Sequence, residues 1–216
     1  MNIQPVSVAD AVAEELRRRL LSGYYRGGTQ LRDTDLTAEF GAARPTIRAA
    51  VQMLVAEGLL ERGRGKSAEV KSFTAEDAID LYRLRRPIEA AAVDEAIKRK
   101  ADLRGVQSAM DAFLALREET PWSVVVDHDV AFHRAVFAAA GSPHLLATFD
   151  QVSAEHRLLI ALLRPAYDGV GALAREHHAL LIALQNGDPA VARAAWSGHF
   201  DTSEQFFVKL IKERIR

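Results

Sequence analysis

Asp129 and His133 stand four residues apart in the run DHDVAFHRAVF, residues 127–137, whose apolar residues recur with helical spacing. On a helix, side chains four apart project from one face, one turn from each other. A carboxylate and an imidazole so placed can form an ordinary helical ion pair, or they can share a cation. Two further histidines favour the cation. His177 follows Leu173 by four and precedes Leu180 and Leu184. His199 shares a stripe with Ala195, Trp196, Thr202 and Phe206. Three imidazoles and one acid on apolar faces of three helices can converge in a bundle core, which is how helical bundles build metal sites. Imidazole and carboxylate suit Zn, Ni, Mn or Fe, and the donor set does not choose among them. An ion left with an open position could also activate water. A metalloenzyme and a direct metal sensor are therefore alternatives at this point. All seven histidines lie between residues 128 and 199. His128, His144, His156 and His178 are expected at the surface or in support of the ligands, with His156 the one suited to support.

A second set of residues suits a polyanion. Residues 1–72 carry 11 Lys/Arg against 9 Asp/Glu, and the remainder 17 against 20. Arg44, Thr46 and Arg48 lie at the start of an amphipathic segment, opposite a stripe of Ile47, Ala50, Val51 and Leu54. Arginine can pair bidentately with guanine, and threonine can meet a phosphate or a thymine methyl. Arg64, Gly65 and Lys66 form a glycine-rich tip, GRGK at 63–66, that could follow a phosphate backbone, and Arg32 could hold a phosphate.

Both sets require elements to position them. VADAVAEELRRRLLSG reads as an amphipathic helix ending at Gly23. YYRGGTQL reads as a turn and a short extended piece. DTDLTAEFG is a short helix with Asp33 or Thr34 as N-cap, and ARPTIRAAVQMLVAEG a longer one closed by Gly58. LLER and SAEVK then flank the GRGK tip as a β-hairpin. Helix, helix, short turn, helix, hairpin is the order of a winged helix-turn-helix, whose second motif helix enters the DNA major groove. After SFT at 72–74 six long helical segments follow. Pro121 and Pro143 mark starts, and Gly141 and Gly187 mark ends. Pro87 falls inside the first of them and predicts a kink or break, at a cost of ~3 kcal/mol. The expected fold is mostly α, with a winged helix-turn-helix domain at 1–72 and an all-α bundle at 73–216.

Composition agrees with a globular chain. Of 216 residues, 49% are hydrophobic and 26% charged, with a net charge of -1. No apolar run approaches the length of a membrane span, and the N-terminus lacks the order of a signal peptide. With no cysteine there is neither disulfide nor thiolate site, and a cytoplasmic location is expected.

Residues 29–71 resemble the DNA-binding domain of GntR-family bacterial transcription regulators. Leu36, Phe40, Gly41, Arg44, Ile47, Arg48, Ala50, Val51, Leu54, Glu57, Gly58 and Leu59 match its pattern in register. Two departures stand out. Ala43 replaces the usual N-cap serine of the recognition helix, and Pro45-Thr46 inverts the usual Thr-Pro. Residues 75–213 resemble the FCD ligand-binding domain of the FadR branch. DVAFH at 129–133, EHHALLIALQNGD at 176–188 and WSGHF at 196–200 match its metal-binding members, which selects His177 over His178. LYRLRRPIEAAA resembles the first effector-domain helix, with Arg85 and Glu89 in its signature.

The resemblance implies a metal held by Asp129, His133, His177 and His199, with zinc first and Ni, Mn or Fe as alternatives. It implies a small carboxylate effector clamped by Arg85, although Arg85 could equally pair with Glu89 one turn on. It implies a regulator rather than an enzyme, acting as a homodimer on a palindromic operator. Arg32, Arg44, Thr46, Arg48, Arg64, Gly65 and Lys66 would touch that DNA.

Overall fold

A computed structural model describes residues 7–63, 67–162 and 169–214. The chain divides into two compact units, Met1–Ser72 and Phe73–Arg216. In the first, α1 (Val8–Leu21) opens with a reciprocal cap, in which Ser7 and Asp10 each satisfy the other's backbone N–H. It buries Val12, Ala13, Leu16, Leu20 and Leu21. Strand β1 (Gln30–Arg32) leads directly into α2 (Asp33–Phe40). Arg32 therefore takes the N-cap place expected for Asp33 or Thr34, and makes no side-chain cap. The acids at 33 and 35 enter the first turn instead, where the helix dipole favours them.

Gly41 ends α2 in the left-handed conformation at φ 61°, which only glycine adopts without strain. That allows a three-residue link to α3 (Arg44–Ala56). Ala43 occupies the N-cap of α3 with no side-chain hydrogen bond, and Pro45 fits the first turn, where N–H groups have no helical partner. Ile47, Ala50 and Leu54 are buried, with Val51 only partly so. Strands β2 (Leu60–Arg62) and β3 (Ser67–Val70) pair antiparallel, and β1 joins β3 on its other side. The sheet order β1-β3-β2 gives the wing three strands, one more than the hairpin expected from sequence.

The second unit is helical among the described residues. Thr74 and Asp77 form a second reciprocal cap that starts α4 (Ala75–Lys98) immediately after the unit boundary. Helix α4 runs through Pro87, so the break expected as one outcome there does not occur. Proline removes one backbone bond. However, α4 packs along α9, α6 and α7, so both halves are held by tertiary contacts rather than by that bond. There follow α5 (Arg104–Leu114), α6 (Trp122–Ala140), α7 (Pro143–Leu162), α8 (Val170–Asn186) and α9 (Pro189–Arg214). Gly141 and Gly187 close α6 and α8 in left-handed conformations. The α9 core stripe is Ala192, Trp196, Phe200, Phe207 and Ile211, with His199 and Ser203 on the same face. Thr202, placed on that stripe by the sequence reading, faces out and bonds to the Gly198 carbonyl. A core of phenylalanine, leucine and valine from all six helices surrounds a polar centre.

Candidate metal centre and nucleic-acid interface

The polar centre comprises Arg85 and Glu89 on α4, Asp129 and His133 on α6, His156 on α7, and His177 and His199 on α8 and α9. All are less than a tenth exposed. Their positions follow from helical spacing. Asp129 and His133 sit between Val126, Val130 and Phe137 on the buried face of α6, and His177 sits between Leu173 and Leu181 on that of α8. Helix packing then brings together faces that lie 44 residues apart in sequence.

One nitrogen from each of His133, His177 and His199 lies within 4.8 Å of the other two. Their remaining nitrogens are tied down. His133 Nδ1–H donates to Glu89 Oε2 at 2.7 Å. His177 Nδ1–H donates to the Leu173 carbonyl at 2.9 Å. His199 Nδ1–H donates to Glu176 Oε1 at 2.7 Å. A proton fixed on each Nδ1 leaves each Nε2 lone pair aimed inward, the orientation that metal-ligating histidines receive from their neighbours. The inward atoms crowd. His133 Nε2 and His177 Nε2 are 3.2 Å apart, and Asp129 Oδ1 lies 2.9 Å from His177 Nε2. Lone pairs at that separation repel unless a proton or a metal cation lies among them. The other oxygen, Asp129 Oδ2, is buried without a hydrogen bond. Three oriented imidazoles, one carboxylate and an orphaned buried oxygen fit a divalent cation.

The electrostatics agree with a site wanting positive charge. Burial works to raise the Asp129 carboxyl, but His177, His133 and His156 hold it well below the usual carboxylate range. His177 is raised, because Asp129 outweighs the penalty of burial. Burial pushes His199 down to about 4, with Glu176 opposing. His156 is pushed down by burial and then by the Arg85 guanidinium.

Arg85 is already engaged. Its Nε and Nη2 donate to Glu89 Oε1 at 3.0 and 2.5 Å, and its Nη1 donates to His156 Nε2. The helical pairing open from the sequence is thus present, buried rather than solvated. Sequence reasoning gave no site role to Glu89 or Glu176. Their signal was there: Glu89 falls one helical turn from Arg85, and Glu176 directly precedes His177. His156 is buried at the centre, whereas His128 and His178 are half-buried and His144 is exposed.

In the first unit, Arg32, Arg44 and Arg48 are exposed and Thr46 is half-buried. Arg32, Arg44 and Arg48 line one concave surface with Gln30, Thr34 and Ser67. Arg48 Nε donates to Asp33 Oδ2 at 2.8 Å, a contact absent from the sequence reading. Arg64, Gly65 and Lys66 lie outside the described residues.

Two family models match the chain. Residues 8–70 match bacterial regulatory proteins of the gntR family, and residues 80–202 match the FCD domain. A putative L-lactate dehydrogenase operon regulatory protein of Escherichia coli is 28% identical, across 92% of this chain and 86% of its own. A gluconate operon transcriptional repressor of Bacillus licheniformis is 25% identical, across 88% and 81%. The crystal structure of a putative GntR transcriptional regulator from Rhodococcus sp. RHA1 is 26% identical. It superposes with a TM-score of 0.76 over 93% of this chain and 97% of that one. These relatives are transcriptional regulators, not enzymes, which removes the support for a metalloenzyme.

Proposed function

The chain belongs to the gntR family of bacterial regulatory proteins with an FCD domain, and from that premise we propose a metal-dependent, metabolite-responsive regulator. Its first unit binds DNA and its second receives a small-molecule effector. The reading extends to a cytoplasmic homodimer on a palindromic operator, each FCD domain holding one divalent ion, zinc first. The observation that carries it is the convergence of one nitrogen from each of His133, His177 and His199, whose Nδ1 atoms all have other partners.

Asp129, His133, His177 and His199 would hold the ion. An ion that takes more than these four ligands would keep positions open, and its charge there would draw a carboxylate. Arg85 offers a planar fork to the same kind of group. An anion arriving at Arg85 competes with Glu89 and His156, which hold the fork now. Two relatives, one named for a gluconate operon and one for an L-lactate dehydrogenase operon, make small organic acids the first class to try. An effector that prefers one arrangement of the protein shifts operator binding by that difference alone.

Metal analysis of purified protein tests the site. About one divalent ion per chain is expected, and loss of it in both His177→Ala and His199→Ala. Retained metal in both variants would sink the reading. Titrating small carboxylic acids into metal-loaded protein while following melting temperature tests the effector. At a hundred times its Kd an acid stabilises by about 2.7 kcal/mol. A panel of hydroxy acids and simple acids that leaves the melting point fixed argues against a carboxylate effector.

A further inference from the structure

We infer that Arg85 is a positioning residue for the metal cage, acting on both ligands of α6 through two separate relays. The inference rests on the metal reading above. The Arg85 guanidinium is buried at the centre of the bundle, over the rings of Phe200 and Tyr82, and its partners lead to the two α6 ligands.

The stronger relay runs through Glu89. Arg85 takes Oε1 with two donors. The other oxygen, Oε2, accepts from His133 Nδ1 at 2.7 Å and from Trp196 Nε1 at 3.2 Å. A carboxylate this deep stays ionised only beside a compensating charge. The Arg85 fork grips one oxygen with two donors, which aims the other at the His133 Nδ1 proton. His133 then presents its lone pair on Nε2. Without the fork, the Glu89 carboxylate is free to turn, and the acceptor that fixes the His133 proton on Nδ1 is no longer held in place.

The weaker relay runs through His156. Its Nε2 accepts from Arg85 and lies 3.5 Å from the Tyr82 hydroxyl. The imidazole proton is therefore on Nδ1. That atom lies 4.0 Å from Asp129 Oδ2, the oxygen with no hydrogen bond of its own. At this distance the contact is a dipole aimed at a carboxylate, not a hydrogen bond. It biases how the Asp129 carboxylate turns. Each relay thus ends on one member of the Asp129/His133 pair.

Cobalt(II) is the probe, because its visible absorption reports ligand geometry as well as occupancy. It is titrated into full-length metal-free protein against a competing chelator, with the melting temperature of each metal-free variant recorded alongside. Arg85→Lys keeps a positive charge but loses the fork, and is expected to weaken cobalt binding by about 10- to 100-fold with a changed spectrum. His156→Gln cuts only the weaker relay, and is expected to weaken binding by a smaller factor. Arg86→Lys is the control. Arg86 lies one position on and pairs with Asp201 and Glu204 at the surface. It should bind cobalt as the parent does.

Parent-like affinity and spectrum in both Arg85→Lys and His156→Gln overturn the inference, as does an equal loss in Arg86→Lys. Should Arg85→Lys fail to fold, His156→Gln decides. A parent protein that takes up no cobalt overturns the metal reading itself, a distinct result.

Discussion

The two units deploy charge in opposite ways. On the concave surface of the first unit Arg32, Arg44 and Arg48 stand exposed, and Arg48 pairs with Asp33. In the bundle Arg85, Glu89, Asp129 and four histidines are buried, and nearly every polar atom has a partner. Exposed charge is cheap in water, free to move, and ready for a polyanion that brings its own counter-charge. Buried charge is costly and persists only in a network, so each member fixes the state of the next. The first arrangement suits contact with a long ligand. The second suits a small site whose geometry must not drift.

Substitutions should separate the two regimes, the deepest first. Glu89→Ala strands the Arg85 guanidinium and the His133 Nδ1 proton in the core. A loss of about 3–5 kcal/mol in denaturant unfolding is expected, as for breaking one side of a buried ion pair. A loss near 1 kcal/mol would show that water reaches the network.

Acid should act on the same unit. His199 is held down to about 4 from an ordinary 6.5, and His156 is also depressed. Between those limits the unfolded chain binds more protons than the folded one, so stability falls as pH drops through the window. Asp129, Glu89 and Glu176, all held low, add to the loss on further acidification. His177, held high, contributes the opposite slope as pH rises above 6.5. Metal-free protein should therefore melt progressively lower from pH 7 to pH 4.5. A melting point that does not move across that range contradicts the partnering described for the bundle.

On the concave surface of the first unit the effects should be moderate and appear in binding, not in folding. Arg44→Ala and Arg48→Ala are each expected to cost about 1–3 kcal/mol in operator affinity where they read a base, with melting unchanged. Where either touches only phosphate, affinity falls evenly across sequences and the salt dependence drops by about one unit. Affinity equal to the parent's in both variants would remove α3 from the interface.

The smallest change belongs to surface pairs of the second unit. Arg134 and Asp150 are both more than a third exposed, with Arg134 Nε 2.8 Å from Asp150 Oδ1. Arg134→Ala should cost less than about 1 kcal/mol. A larger cost would mean that position, rather than burial, sets the scale.

Much of this contrast was legible in the sequence. Periodicity and glycine stops located the helices, because a helix shows its buried face in every turn. Gly41, Gly141 and Gly187 marked ends because left-handed backbone excludes most other residues. The same spacing that places Asp129 beside His133 placed His177 and His199 on apolar faces. Pro87 does not break α4: its local cost is visible in sequence, while the packing that outweighs it is not. Thr202 was set on the wrong face of α9, where one position of drift moves a side chain by about 100°.

The sequence by itself determined which residue types face each helix's core and which carry charge to solvent, since both follow from the local period. The tertiary structure alone decided what the second oxygen of Glu89 does. Read along α4, Glu89 is the i+4 partner of Arg85. Only packing against α6 brings Oε2 within 2.7 Å of His133, 44 residues away. Likewise nothing local in α7 brings His156 between Arg85 and Asp129. Hydrogen-bond partners of buried groups are chosen by whichever helix arrives opposite, and that choice belongs to the fold as a whole.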